Sequence, residues 1–156
     1  MQILLVRHAH AGAPGAWPGD DLDRQLSDHG TAQTAAITDA LADTPVSHVY
    51  SSRAVRCRDS VRPLADRLGL DVVEIPVLLE GTAPADALAW LESLDGDVGG
   101  VVACSHGDVI GGVVERLAER GTDLTGDLQW PKGSIWEFDT VNGLITSGRL
   151  RPPPDL

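Results

Sequence analysis

The sequence is poor in residues that several functional classes require. Lys132 is the only lysine, so Schiff-base or phosphate-loop lysine chemistry would depend on that single position. Cys57 and Cys104 are the only cysteines, which is too few for a disulfide framework or a zinc cluster and is typical of a reducing compartment. No apolar run approaches the roughly 18 residues that a membrane-spanning helix needs.

Positive charge is scarce as well. Against 23 acidic residues there are 12 basic ones, for a net charge of −11. Such a surface repels nucleic acid and anionic lipid, so we expect neither as a partner. The segment Met1–Arg7 has no basic leader pattern and no small-residue cleavage site, which predicts a cytoplasmic protein. The basic residues other than Lys132 are all arginine, the side chain best suited to bidentate binding of phosphate or carboxylate.

The length of 156 residues fits a single domain with one core. We expect that domain over residues 1–150, followed by an extended proline-rich tail over residues 151–156. Apolar patterns and turn residues predict alternating strands and helices between the two ends. The predicted strands are Ile3–Val6, Val46–Tyr50, Val72–Ile75, Gly100–Cys104 and a hairpin of Ser134–Asp139 with Leu144–Leu150 around Asn142-Gly143. The predicted helices are Asp28–Ala42 capped by Ser27, Arg53–Leu68 ended by Gly69, Ala85–Leu94 and Val109–Ala118.

This alternation predicts an α/β fold: a three-layer sandwich in which an open, mostly parallel sheet has helices on both faces. In the first helix we expect the inward face to hold Ala32, Ala35, Ala36, Ala40 and Leu41. Ligands of such sheets bind beyond the carboxyl ends of the strands. Two polar segments lie at such ends, Arg7-His8 and Ser105-His106-Gly107, and each alone is also compatible with a strand end that simply reaches water.

An arginine-rich segment, Ser51 to Ser60, follows the second predicted strand. A positive side chain in the first turn of the helix would act together with the helix dipole on a bound anion.

Together these segments resemble the histidine phosphatase (phosphoglycerate-mutase-like) superfamily. Arg7-His8-Ala9 is similar to its Arg-His-Gly signature, with alanine where glycine is usual. Three further segments resemble family motifs and follow in the family's order: Leu26-Ser27-x-x-Gly30-x-x-Gln33, Ser51-Ser52-x-x-x-Arg56-Cys57-x-x-Ser60 and Ser105-His106-Gly107. Leu79-Glu80 lies where the acid of the family is expected. The short chain resembles the compact phosphohistidine-phosphatase type.

The resemblance implies a metal-independent, cofactor-independent phosphatase that acts on a phosphorylated small molecule or phosphoprotein. His8 would be the nucleophile, and Glu80 the general acid and base. The group that binds phosphate would be Arg7, His8, Arg56, His106 and Gly107. We expect His10, Trp17 and Ser105 near the substrate pocket, although Trp17 is equally compatible with a hydrophobic plug.

Three other interpretations stay open at this point. A phosphomutase of the phosphoglycerate type would use the same residues but retain the phosphoryl group. A non-catalytic module that binds phosphorylated ligands would need the cations without the nucleophile. His8 and His10 form a His-x-His pair that binds zinc or iron in some hydrolases, although those sites need further ligands and we expect no metal here.

Overall fold

The protein contains one seven-stranded sheet in a computed structural model that describes residues 1–94 and 99–156. In chain order its strands are β1 (Gln2–Arg7), β2 (Val46–Ser51), β3 (Val72–Glu74), β4 (Gly100–Ser105), β5 (Asp123–Thr125), β6 (Ile135–Val141) and β7 (Leu144–Arg151). Their order across the sheet is β3-β2-β4-β1-β6-β7-β5. The β6 strand pairs antiparallel with both of its neighbours, whereas the other pairings are parallel.

In the described part of the chain, four α-helices cover the two faces of this sheet: α1 (Asp28–Leu41), α2 (Val55–Leu68), α3 (Pro84–Ser93) and α4 (Gly107–Glu119). Successive side chains of β1 point to opposite faces, as in any strand. Leu4 and Val6 pack with the buried residues of α1 and α2, while Ile3 and Leu5 pack with those of α3 and α4. The predicted three-layer α/β sandwich is therefore confirmed.

The buried face of α1 differs from the prediction. Its buried residues are Gly30, Gln33, Thr34, Ile37, Thr38 and Leu41. Ala32, Ala35 and Ala40 are exposed and Ala36 is only half-buried, so Leu41 alone was placed correctly. Alanines lie on several sides of this helix, so no side is clearly more apolar than the others. Its orientation depends instead on polar contacts, such as the hydrogen bond from the His10 amide to Gln33 Oε1 (2.9 Å).

Local turn signals located several boundaries correctly. Ser27 caps α1 by accepting a hydrogen bond from the Gly30 amide at 3.0 Å, and Gly69 ends α2 in the left-handed conformation. Asn142 and Gly143 both have positive φ in the β6–β7 turn, as a primed two-residue hairpin turn requires. The short strand β5 was not predicted, because Asp123-Leu124-Thr125 contains a single apolar residue and therefore carries no strand pattern.

The strand order determines where the polar segments meet. Because β2, β4 and β1 are adjacent and parallel, the residues that follow them come together at one edge of the sheet. Arg7 lies opposite Ser105, and Ser51 lies opposite Cys104, in the last register positions of these pairs. Within residues 1–94 and 99–156, no helix combines the length and the apolar character needed to cross a membrane.

Candidate active site

His8 follows the last residue of β1 and is only 5% exposed. Its amide donates to the carbonyl of Ser105 at 3.1 Å, which ties it to the end of β4. Its Nδ1 lies 2.8 Å from the carbonyl oxygen of Ala9. A carbonyl can only accept, so Nδ1 carries the ring proton and the neutral ring keeps an unprotonated Nε2.

The surroundings of His8 hold its ring in this neutral form. Burial, together with the nearby His106, Arg56 and Arg7, lowers the pKa of His8 to about 3, against the raising effect of the bond to Ala9. The ring is therefore neutral at ordinary pH and has a lone pair available for bonding.

His106 lies behind His8 and is 1% exposed. The centroids of the two imidazole rings are 5.4 Å apart. His106 Nδ1 lies 3.4 Å from Arg56 Nη2, and its Nε2 lies 2.9 Å from Ser52 Oγ. Ser52 of the second motif thereby fixes the orientation of His106.

Arg56 extends from the first turn of α2 and is 1% exposed. Its Nη1 donates to the carbonyl of Asp21 at 2.8 Å, and its Nη2 lies 3.2 Å from Glu80 Oε2 and 3.3 Å from Asp21 Oδ2. Its buried Nε has no hydrogen-bond partner in the described part of the chain. The two carboxylates therefore contact the guanidinium group of Arg56 at the site, while one of its donors is left unused.

Arg7 lies directly against the start of α4. A Cβ atom on Gly107 would approach the Arg7 guanidinium carbon to 2.8 Å, so only glycine leaves room for this arrangement. Arg7 Nη1 donates to the carbonyl of Trp130 at 2.9 Å. Burial lowers the pKa of Arg7, and its buried Nε has no partner among residues 1–94 and 99–156.

Ser60 connects the first two motifs. Its hydroxyl accepts from the Ala9 amide at 2.9 Å and donates to the Arg56 carbonyl at 2.6 Å. Ala9 itself is fully buried, so its methyl group fits where glycine is usual in the family resemblance.

A cleft of about 610 Å³ opens in front of His8. Its walls are formed by Arg7, His8, Pro14, Arg24, Glu80, Pro84, Gly107, Asp108, Gly111, Gly112, Glu115, Trp130 and Lys132. Arg56 and His106 do not reach this lining and lie behind it. A cleft of this volume is in the range that holds small organic ligands.

Three residues expected near the substrate pocket do not line this cleft. Ser105 is fully buried because its hydroxyl points to Leu78, donating to the carbonyl at 2.6 Å. His10 Nδ1 is bonded to Ser27 Oγ at 2.6 Å, which turns the ring toward the cap of α1. Trp17 is half-buried in its loop, where its indole Nε1 would lie 3.5 Å from a Cβ atom built on Gly19.

Sequence reasoning missed Asp21, Arg24, Trp130 and Lys132. Asp21 and Arg24 belong to a short turn after the glycine- and proline-rich loop and are joined by an ion pair of 2.8 Å. Irregular segments have no periodic signal that would mark these side chains. Lys132 was visible as the only lysine, but nothing in its surroundings connected it to His8.

The His-x-His pair does not form a cluster of ligands. In the described ranges, no group of three or more His, Cys, Asp or Glu side chains is arranged to hold a metal ion.

The low pKa of His8 makes a prediction for stability. An unfolded chain protonates this histidine near its ordinary pKa of about 6.5, while the folded chain takes up the proton only near pH 3. Stability should therefore fall as the pH falls through this window, by up to about 1.4 kcal/mol per pH unit. In His8→Asn, which keeps a donor for the Ala9 carbonyl, this loss should disappear.

Urea unfolding from pH 7 to pH 4 measures the difference between the two proteins. As the pH falls, the free energy of unfolding of the wild type should decrease steadily relative to that of the variant. Parallel curves would show that His8 titrates normally in the folded state.

Comparison with curated proteins relates the chain to mycobacterial relatives. It is 33% identical to the 8-oxo-(d)GTP phosphatase of Mycolicibacterium smegmatis over 159 residues, covering 98% of this chain and 48% of that protein. It is 37% identical to the uncharacterized protein Rv0525 of Mycobacterium tuberculosis over 84 residues, covering 51% of this chain and 40% of that protein. The chain thus spans about half the length, or less, of the curated relatives it matches.

Solved structures show the same fold. The protein histidine phosphatase SixA complexed with tungstate superposes with a TM-score of 0.76 at 20% identity, over 97% of this chain and 94% of that one. The mycobacterial glucosyl-3-phosphoglycerate phosphatase complexed with VO3 gives a TM-score of 0.64 at 19% identity, over 96% of each chain.

A family model matches the part of the chain that carries every family-like segment except Ser105-His106-Gly107. The model of the histidine phosphatase superfamily (branch 1) covers residues 3–83, more than half of the chain. This match agrees with the resemblance expected from the motifs. The chain therefore belongs to the histidine phosphatase superfamily.

Proposed function

We propose that the protein is a phosphatase that transfers a phosphoryl group from a phosphomonoester or phosphoramidate to His8 and then to water. The observation that carries this function is the state of His8 itself. Its ring lines a cleft beside Arg7, is held neutral by burial, and has its proton fixed on Nδ1 by the Ala9 carbonyl. Nε2 then has the free electron pair that a nucleophile needs.

The cations around His8 suit the charge of a transferring phosphoryl group. That charge is spread over the three equatorial oxygens, so catalysis depends on donors placed around them. Arg7 and Arg56 each keep a buried Nε–H without a partner in the described part of the chain. Buried donors of this kind are costly unless a ligand satisfies them. An oxyanion bound to His8 would supply acceptors for both guanidinium groups.

Arg56 would have to exchange partners when substrate binds. In the free protein its terminal nitrogens are held by Asp21 and Glu80. Phosphate oxygens compete for the same donors, and the Glu80 side chain, at 57% exposure, is free to move aside, whereas Asp21 also accepts a hydrogen bond from Arg24 Nε at 2.8 Å. The displaced Glu80 stays beside the reacting group because its neighbour Gly81 is tied through its amide to Asp108 at 2.8 Å.

The proposed reaction has two balanced steps. His8 Nε2 forms a bond to phosphorus while the bond from phosphorus to the leaving oxygen or nitrogen breaks, and Glu80 gives the leaving atom a proton. Water then attacks the phosphorus, Glu80 takes a proton from it, and the bond to Nε2 breaks to release phosphate. His106 would stabilise the charge from behind His8, in an orientation held by Ser52.

The comparisons support phosphorylated substrates without identifying one. SixA is named as a protein histidine phosphatase, and its structure holds tungstate, an oxyanion shaped like phosphate. The curated relative from Mycolicibacterium smegmatis is named for a nucleotide substrate. We therefore include both a phosphorylated small molecule and a phosphoprotein in the proposed substrate class.

Replacing the nucleophile provides the first test of this function. His8→Ala should abolish phosphate release and the acid-labile phosphoenzyme, because it removes the nitrogen that would take the phosphoryl group. His29→Ala, which removes an exposed histidine of α1, should keep both. Rapid-quench labelling with a radiolabelled phosphoramidate measures the covalent species directly.

Three results would contradict the proposal. Turnover by His8→Ala would exclude His8 as the nucleophile, and a wild type that binds substrate but never becomes labelled would be a binding module. A wild type that becomes labelled and isomerises phosphoglycerate without releasing phosphate would be a mutase.

The role of Glu80 makes a separate prediction. Glu80→Gln should slow hydrolysis of an alkyl phosphate by about 10²–10⁴-fold, because an alkoxide leaving group needs a proton. The loss should be much smaller with p-nitrophenyl phosphate, whose leaving group departs as a stable anion. Steady-state kcat with both substrates measures the contrast.

Asp21→Asn is the matched control, since it removes the other carboxylate that contacts Arg56. It should lose less activity than Glu80→Gln on the alkyl phosphate. The reverse order would assign the acid role to Asp21.

A further inference from the structure

Lys132 places a positive charge in the cleft that holds His8. It lines the same cleft as His8 and is half-buried. Among residues 1–94 and 99–156 it forms no salt bridge, although the chain has a large excess of acidic groups. An amine that is partly removed from water without an anionic partner is unfavourable unless a ligand supplies one.

The backbone around Lys132 is fixed to the catalytic segment. The amide of Gly133 donates to the carbonyls of Arg7 (3.1 Å) and His8 (3.2 Å). The carbonyl of Lys132 accepts from Gln33 Nε2 at 3.3 Å. The base of this side chain therefore has a constant position relative to His8, as is required of a residue that discriminates between substrates.

Arg24 supplies a second cation to the same cleft. It is 5% exposed, with Nε bonded to Asp21 at 2.8 Å and Nη1 bonded to the carbonyls of Ala11 (3.0 Å) and Gly12 (3.2 Å). In the described ranges its Nη2 makes no hydrogen bond to the protein. The side chain is thus held rigidly on one side and leaves a donor on the other.

The positive charges of Lys132 and Arg24 come in addition to those of the two arginines that would bind the reacting phosphate. Burial and the positive charges of Arg7, Arg24 and Arg56 lower the pKa of Lys132, so the cations act on one another across the cleft. Arg7 and Arg56 already provide the donors for the phosphoryl group at His8. The helix α4 contributes Asp108 and Glu115 to the lining, which repel an anion, so apart from Arg7 the positive charges among the described lining residues are those of Lys132 and Arg24.

We propose that Lys132 and Arg24 form a second anion subsite, and that the preferred substrate has a further phosphate or carboxylate on its leaving group. This inference rests on the proposed function, since it identifies the substrate class of the same site. An organic diphosphate fits this chemistry with its terminal phosphate at His8 and its inner phosphate at the subsite. The cleft volume of about 610 Å³ leaves room for both groups.

Paired substrates test the subsite by kinetics. ADP has a phosphate on the leaving group, 3-phosphoglycerate has a carboxylate there, and phenyl phosphate has neither. Lys132→Ala should raise the KM of an anionic substrate at least about tenfold more than that of phenyl phosphate, the effect of losing one charge-assisted hydrogen bond. Lys132→Arg should restore most of the difference.

Arg116→Ala is the matched control, because it removes one positive charge from the exposed side of α4. It should leave the ratio of the KM values unchanged. A selective effect with ADP or with 3-phosphoglycerate identifies the inner anion as phosphate or carboxylate. An equal change with all three substrates, or no change, would overturn the subsite.

Chemical protection tests the same subsite without turnover. Lys132 is the only lysine, so an amine-acylating reagent modifies only this side chain and the Met1 amine, which serves as an internal reference. Pyrophosphate should slow acylation of Lys132 far more than an equal concentration of orthophosphate, both in the wild type and in His8→Asn.

Protection in His8→Asn separates this inference from the proposed function, because it requires no phosphoenzyme. Equal protection by the two anions, or none, would contradict the subsite even if His8 proves to be the nucleophile. If the wild type forms no phosphoenzyme at His8 but the anions still protect Lys132 from acylation, the proposed reaction is overturned and the anion site remains.

Discussion

The neutrality of the His8 ring is the constraint on which the rest of the site depends. A nucleophilic imidazole has to keep its lone pair, yet a phosphate site has to be rich in donors and positive charge. In the proposed reaction the same groups would meet both requirements, because burial beside Arg7, Arg56 and His106 disfavours a further proton on the ring. The carbonyl of Ala9 completes the arrangement by holding the remaining proton on Nδ1.

The order of the strands converts separate sequence motifs into this site. β2, β4 and β1 are parallel neighbours, so the segments that follow them meet at one edge of the sheet. Two serine hydroxyls then join these segments: Ser52 holds His106 at 2.9 Å, and Ser60 holds the amide of Ala9 at 2.9 Å. These two serines of the arginine-rich segment thus position His106 and the Ala9 amide in the candidate site.

The sequence predicted those parts of the molecule that depend on local pattern. Local sequence is enough to identify the apolar strands, the helix end at Gly69 and the Asn142-Gly143 turn. The motif residues could be located because they follow the ends of these strands. Parts that depend on tertiary contacts were missed or misplaced. The inward face of α1 was wrong because alanine gives it no apolar side, and Ser105 bonds to Leu78 rather than facing the cleft. The loop residues that meet Arg56 and His8, namely Asp21, Arg24, Trp130 and Lys132, are brought there only by folding.

Nitrogen-15 NMR of the histidine rings tests the central claim most directly. With His8 assigned by comparison with His8→Asn, its Nδ1 should show a proton and its Nε2 the shift of an unprotonated nitrogen. Both should remain unchanged from neutral pH down to about pH 4, since the pKa of this ring is lowered to about 3. A ring that titrates near the ordinary histidine pKa of about 6.5, or that has its proton on Nε2, would contradict the account.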